Sequence, residues 1–130
     1  MSTSDCRFCR ANGQLGDAPR SASSSFYMLM SRDPELPGAV MVIPERHVET
    51  PFDLTPAEWA EMPDALAAAR AALTEFDPDG YTMGWNVGAV AGQTVGHVHL
   101  HVIARWKEGP HAGMGLRVPL KHPDGSWTRS

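Results

Sequence analysis

Histidine and aliphatic residues alternate strictly from His97 to Val102 in the segment His97-Val98-His99-Leu100-His101-Val102-Ile103. Alternate side chains of a β-strand share one face, so the three imidazoles are predicted to line one side, about 6.6 Å apart. The aliphatic residues between them would face the core. Strand propensity gives no reason to choose histidine three times. The pattern therefore favours proton transfer, nucleophilic attack or metal ligation over a merely solvated strand.

Length and charge exclude several classes of protein. The chain has 130 residues, a length that suits one domain with its own core. Its 11 basic and 15 acidic residues give a net charge of −4, which argues against nucleic acid or an anionic membrane as a partner. No apolar run approaches the ~18 residues of a membrane span, and residues 1–10 lack the apolar stretch of a signal peptide. Two cysteines are too few for a disulfide scaffold, so the expected compartment is the reducing cytoplasm.

The remaining pattern predicts a small mixed domain over residues 1–105. Apolar runs predict strands at 26–30, 39–43, 81–87 and 97–104, whereas residues 12–25 resemble a loop because they are rich in Gly, Ser and Ala. Residues 53–76 are predicted to be helical, with Thr55 as the N-cap, Pro56 at the first helical position and Glu58 closing a capping box. Pro63 should kink this helix or break it in two. This order favours an α+β fold with an antiparallel sheet, followed by an irregular tail over 106–130 that packs on the domain or on a partner.

A glycine-rich segment leads directly into the histidines. Residues 86–96 read Asn-Val-Gly-Ala-Val-Ala-Gly-Gln-Thr-Val-Gly. Gly92 and its two neighbouring glycines allow tight turns, and exposed N–H groups in such turns bind anions. Asn86, Gln93 and Thr94 add neutral hydrogen-bond donors. By itself the segment could be a flexible hairpin loop, but a phosphate held by uncharged donors beside a nucleophilic histidine forms a site suited to nucleotidyl transfer.

The segment Cys6-Arg7-Phe8-Cys9 has the spacing with which two thiolates chelate one metal ion. A thioredoxin-like redox pair needs a preceding strand, and five residues leave no room for one. Two core cysteines are an alternative, because free Cys is often buried. Half of a zinc site is favoured, and histidine or acidic residues must complete it because the chain has no other cysteine.

Residues 92–105 resemble the signature of the histidine triad (HIT) family. They read Gly-Gln-Thr-Val-Gly-His-Val-His-Leu-His-Val-Ile-Ala-Arg. Residues 42–47, Val-Ile-Pro-Glu-Arg-His, are similar to the Ile-Pro-x-x-His strand end of that family, and residues 81–88 resemble its Asn-x-Gly strand. The resemblance covers residues 6–105. It implies a HIT-like α+β fold with an antiparallel sheet of about five strands. The predicted helices are one long helix, kinked or broken at Pro63, and a short second helix. The resemblance also implies a homodimer, for which Trp59 and the Trp-bearing tail are candidate interface residues.

The resemblance assigns roles to individual residues. His99 would attack the α-phosphorus of a nucleotide and form a nucleotidyl-histidine, from which water releases the nucleoside monophosphate. Its other ring N–H would be held by a backbone carbonyl, which sets the tautomer. His101 would bind a phosphate oxygen or assist the leaving group. Further phosphate contacts would come from Asn86, Gly92, Gln93 and Thr94, although Asn86 is equally well explained as a turn residue. The implied substrates are purine nucleoside monophosphate esters, phosphoramidates or dinucleoside polyphosphates.

Zinc-containing bacterial members of the family imply a structural Zn²⁺ bound by Cys6, Cys9, His47 and His97. His97 would then be diverted from direct chemistry. Two other functions stay open at this point. One is a metal-dependent hydrolase or lyase in which His97, His99 and His101 bind a catalytic ion, and the other is a nucleotide-binding module without turnover.

The chain departs from the family pattern at two positions. Many members have an Asp that bonds the ribose hydroxyls where Ser31 stands, and a His where Ala39 stands. A serine hydroxyl offers a single, shorter contact in place of a carboxylate. We therefore expect weak discrimination between ribo- and deoxyribonucleotides, unless nearby Asp33 replaces the missing group.

Overall fold

A single antiparallel sheet organises the structure, a computed structural model that describes residues 3–16 and 18–126. Its strand order is β1-β2-β3-β5-β4. The strands are β1 (Arg20–Ser21), β2 (Phe26–Met30), β3 (Ala39–Pro44), β4 (Gly80–Gly84) and β5 (Leu100–Arg105). The α-helices are α1 (Pro56–Ala60), α2 (Met62–Ala72) and the short α3 (Val118–Lys121). The predicted α+β fold with a five-stranded antiparallel sheet is confirmed.

Three strands differ clearly from the prediction. The strand predicted at 81–87 is β4 (Gly80–Gly84), which ends where its pairing with β5 ends, at Gly84 opposite His101. β1 lies in the segment predicted to be a loop; it is two residues long and exists because Arg20 and Ser21 pair with β2. β5 begins at Leu100 rather than at His97, because the Val98 N–H leaves the ladder and donates to the Val48 carbonyl at 2.7 Å. These differences arise from contacts with distant segments rather than from local propensity.

The helical segment is interrupted where Pro63 predicts it. The Glu58 N–H donates to the Thr55 hydroxyl at 3.1 Å, and the Thr55 N–H donates to the Glu58 carboxylate at 2.8 Å, which forms the predicted capping box. Pro63 lies in the first turn of α2, where a missing N–H costs no helical bond. The break falls at Glu61, whose carboxylate accepts bonds from the Ser25 N–H and hydroxyl. These bonds hold the pKa of Glu61 at about 2.

The sheet separates two apolar clusters, and this separation positions the histidines. Alternate residues of the β5 segment face α2 and pack in the larger cluster, namely Val98, Leu100, Val102 and Ala104. The opposite face is covered by the N-terminal segment, with Phe8 buried beside Tyr27, Ile43 and Val95. His99 and His101 lie on this second face, away from the helices, as the alternation predicts. Trp59, in contrast, is 42 % exposed although it continues the apolar stripe of the helix.

The C-terminal segment packs back on the end of the sheet. The Trp106 indole N–H donates to the Phe76 carbonyl at 2.9 Å, and Arg105 donates to the Thr82 hydroxyl at 2.8 Å. Gly38 has a φ of 119° and lies so close to Ala104 that a Cβ there would meet the alanine methyl at 3.1 Å. The tail predicted over 106–130 extends past Ser126, where the described residues end. Within residues 3–16 and 18–126, the helices lack the length and the apolar character that a membrane-spanning segment needs.

Candidate functional site

The His99 imidazole has one nitrogen bonded and one nitrogen free to react. Its Nδ1 lies 2.8 Å from the His97 carbonyl oxygen. A carbonyl only accepts hydrogen bonds, so Nδ1 carries the proton and the lone pair is on Nε2. The ring is 7 % exposed and meets the His101 ring edge-on, with centroids 5.1 Å apart. Burial, with a smaller effect from His99, lowers the pKa of His101, which favours a neutral His101 imidazole near neutral pH.

Gln93 braces the glycine-rich loop. Its Oε1 accepts a bond from the Gly88 N–H at 2.8 Å, and its Nε2 donates to the carbonyls of Glu49 at 2.7 Å and Val95 at 3.1 Å. Gly88 and Gly92 have φ values of 87° and 93°, which favour glycine. The Gln93 amide thus ties the loop to itself and to the segment after β3. Its assignment as a phosphate ligand stays a prediction.

The other predicted phosphate ligands are accessible on the same loop. Asn86, Gly92 and Thr94 are exposed. The side-chain amide of Asn86 lies over Gly92, with Nδ2 3.8 Å from the place that a Cβ would take. The structure therefore brings Asn86 to the centre of the loop. The hydrogen bonds of these three residues to phosphate stay predictions.

Four predicted metal ligands converge beside the sheet face that carries His99 and His101, which we call the histidine face. The Cys6 and Cys9 sulfurs lie 3.4 and 3.7 Å from His97 Nδ1, and Cys9 Sγ lies 3.3 Å from His47 Nδ1. All four ligand atoms lie within 4.8 Å of one another. Metal–sulfur bonds are about 2.3 Å long and metal–nitrogen bonds about 2.0 Å. In a tetrahedral site, such bonds place any two ligand atoms roughly 3.3–3.8 Å apart. The cluster is therefore close enough to bind a metal ion.

The protonation states of His97 and Cys9 favour binding of a positively charged metal ion. His97 is fully buried, and its Nε2–H donates to the Pro44 carbonyl at 2.8 Å, so that the Nδ1 lone pair faces the sulfurs. Burial lowers the pKa of His97, which keeps the imidazole neutral as a ligand must be. Burial and the Cys6 thiol raise the pKa of Cys9 to about 11, so its thiolate needs a positive charge beside it. His99 and His101 belong to no such cluster within residues 3–16 and 18–126.

A cleft of about 260 Å³ adjoins the histidine face. Met41, which pairs with His101 across the sheet, lines it together with Ser31. The Ser31 hydroxyl accepts a bond from the Asp33 N–H at 3.1 Å. The Asp33 carboxylate in turn accepts from the Glu35 N–H at 2.9 Å, which holds it within its own turn. A larger groove of about 660 Å³ lies between α2 and β4 and is separate from the histidines.

The sequence does not predict two contacts of the structure, one made by Phe8 and one made by Arg46. The Phe8 ring packs edge-on against the His99 imidazole with centroids 5.1 Å apart. Arg46 donates to the buried Glu58 carboxylate at 2.8 Å, which joins the segment after β3 to the start of α1. The sequence carries a signal for Phe8, an apolar residue between two chelating thiols, but none that identifies its partner.

Comparisons with known proteins agree on one family. A HIT domain model matches residues 22–108. A bis(5'-adenosyl)-triphosphatase of Dictyostelium discoideum is 39% identical over 82 residues, which cover 62% of this chain and 55% of that protein. An AP-4-A phosphorylase of Mycobacterium tuberculosis is 38% identical over 82 residues, covering 62% and 42%. This chain therefore spans about half the length of the curated relatives it matches. The crystal structure of a HIT family protein from Bacillus anthracis superposes with a TM-score of 0.68 and 31% identity, over 88% of this chain and 81% of that one.

Proposed function

The chain belongs to the HIT family, and we propose that it is an enzyme that hydrolyses nucleotide phosphates or transfers their nucleotidyl group through a covalent intermediate on His99. The substrate class is a purine nucleoside monophosphate ester, a phosphoramidate or a dinucleoside polyphosphate. The names of the two relatives support this class, since one is a bis(5'-adenosyl)-triphosphatase and the other an AP-4-A phosphorylase.

One observation carries the proposal, namely the bond from His99 Nδ1–H to the His97 carbonyl at 2.8 Å. It leaves the Nε2 lone pair as the nucleophile. In the first step this lone pair forms an Nε2–P bond with the α-phosphorus, and the bond from phosphorus to the leaving group breaks. His101 donates a hydrogen bond to a phosphate oxygen or to the leaving group, and the leaving group takes up its proton from solvent. In the second step the oxygen of water, or of another acceptor in a transfer reaction, forms a bond to phosphorus as the Nε2–P bond breaks. The nucleotidyl group leaves on that oxygen, the proton of the acceptor passes to solvent, and the Nε2 lone pair is restored.

Rapid-quench kinetics with a nucleoside phosphoramidate and a dinucleoside polyphosphate test the proposal. We expect a burst of leaving group equal to the enzyme concentration and an acid-labile adduct on His99. His99→Ala should fold normally but lose at least about 1,000-fold in turnover, because covalent catalysis needs its nucleophile. His111→Ala is the control, because His111 is an exposed histidine outside the strand that carries His99 and His101. Wild-type turnover by His99→Ala would refute the mechanism.

We further propose that the ion held by Cys6, Cys9, His47 and His97 is Zn²⁺ and that it is structural. Two sulfur and two nitrogen donors in tetrahedral reach are typical of closed zinc sites. When bound, the ion would supply a positive charge that keeps both thiols deprotonated and fastens the N-terminal segment to the sheet. Thiolate ligands also suit a reducing compartment, which supports the cytoplasm as the location.

The alternative metal-centred enzyme is less well supported. It requires His97, His99 and His101 to converge on one ion. His97 instead directs its free nitrogen toward Cys6 and Cys9, and Nδ1 of His99 is occupied by a backbone carbonyl.

The predicted homodimer is also part of this proposal. β4 is an edge strand of the sheet. Met83, which lines the groove between β4 and α2, is 50 % exposed, and Trp59 on α1 is 42 % exposed. Such a surface is typical of a subunit interface. Light scattering at micromolar concentration should give twice the 14.1 kDa chain mass. Met83→Asp should separate the subunits and give the mass of a single chain.

A further inference from the structure

We propose that Phe8 is a positioning residue for His99, an inference that rests on the proposed function. The Phe8 and His99 rings meet edge-on, with centroids 5.1 Å apart and planes at 72°. The same phenyl ring also lies edge-on to His97, at 6.2 Å and 86°. Phe8 thus contacts both the nucleophile and a residue of the metal-ligand cluster.

Metal binding does not account for a phenylalanine at this position. The chelating pair requires thiols at positions 6 and 9, and the two residues between them are free to vary in type. Arg7 is exposed, whereas Phe8 is 2 % exposed. Core packing would explain any apolar side chain of this size, but the ring-to-ring contact with His99 is specific to an aromatic one.

The turn holds Phe8 from both sides. The Tyr27 hydroxyl donates to the Phe8 carbonyl at 2.6 Å. The Cys9 N–H donates to the Cys6 carbonyl at 3.4 Å, which closes the turn around the phenylalanine. The two cysteine sulfurs face His47 and His97. Phe8 is thus held at its own carbonyl and at Cys6 and Cys9, the two ends of the turn, which leaves its ring little freedom to shift.

This anchoring matters because His99 must present Nε2 in one direction. Its Nδ1–H bond fixes one end of the imidazole, but a single hydrogen bond still permits the ring to tilt about it. Packing against Phe8 limits that tilt, and His101 borders the ring as well. A nucleophile misplaced by about 1 Å can lose as much as 100-fold in rate. Phe8 acts through His99 and does not itself contact the phosphorus.

The test uses Phe8→Leu and Phe8→Met, which fill much of the same volume without an aromatic ring. Phe26→Leu is the matched control, because Phe26 is also 2 % exposed but packs in the cluster on the helix side of the sheet. All variants are checked for metal content, which should equal that of the wild type. The burst rate constant at saturating substrate should fall about tenfold or more in both Phe8 variants, with KM changed less than about threefold. Phe26→Leu should keep the wild-type burst rate.

A second measurement needs no substrate. In protein with ¹⁵N-labelled histidine, the Nδ1–H proton of His99 should give a sharp signal in the wild type and in Phe26→Leu. The signal should broaden or exchange faster with water in both Phe8 variants. A wild-type burst rate or an unchanged His99 signal in the Phe8 variants would overturn the proposal, and so would a raised KM with an unchanged burst, which indicates substrate contact. If the wild type forms no adduct, the proposed function fails, while the His99 signal still decides the role of Phe8.

Discussion

Replacing Gln93 by Met tests whether this residue braces the loop or binds phosphate. The change keeps the side-chain length and removes the three hydrogen bonds to Gly88, Glu49 and Val95. A typical intramolecular hydrogen bond contributes about 1 kcal/mol net. Glu49 is exposed, so water can replace the bond to its carbonyl, whereas the carbonyl of the buried Val95 would keep the bond from the His97 N–H at 2.8 Å and lose the one from Gln93. We therefore expect the free energy of unfolding to fall by about 2–3 kcal/mol.

Urea denaturation measures this loss, and calorimetric titration with a nucleoside monophosphate measures affinity. Val90→Ala is the control, because Val90 is fully exposed on the same loop and its truncation should leave stability unchanged. A purely phosphate-binding Gln93 predicts the opposite result, with stability kept and affinity lost. An unfolding free energy of Gln93→Met within about 0.5 kcal/mol of the wild type would refute the bracing role.

Three further predictions follow from the site and its supports. Purified protein should contain about one zinc per chain, and Cys6→Ser should lose the metal and lower Tm; metal analysis and calorimetry check this. Arg46 is the main cause of the lowered pKa of Glu58, so this ion pair stabilises the fold above pH 4.3, the usual pKa of an unfolded Glu. The stability advantage of the wild type over Glu58→Gln should therefore be present at pH 7 and be lost as the pH falls through the folded pKa, as denaturation at several pH values will show. AMP and its 2′-deoxy form should bind within about tenfold, ~1.4 kcal/mol, because Ser31 has no charge and the Asp33 carboxylate is held by Glu35; a much larger preference for AMP in titration would contradict this.

Much of the fold was predictable because its signals are local. The alternation around His99 places the imidazoles on one face, and the structure agrees with that assignment. The capping box at Thr55 and the break near Pro63 depend on residues within one helical turn, and both are present. β1 was not predictable in this way, since a strand of two residues has no periodicity and forms only because β2 offers it a partner.

The candidate site also combines features that are local in the sequence with features that depend on the fold. Sequence alone determined which residues have the chemistry, because residue type and spacing along one strand or one turn decide whether a group can chelate an ion or carry a lone pair. Tertiary structure alone decided how those groups are used. It brings Cys6 to His97 across 91 positions of the chain, turns the Gln93 amide to the backbone and sets Phe8 against His99. Such contacts depend on strand register and on how the N-terminal segment crosses the sheet, and neither leaves a periodic signal in the sequence.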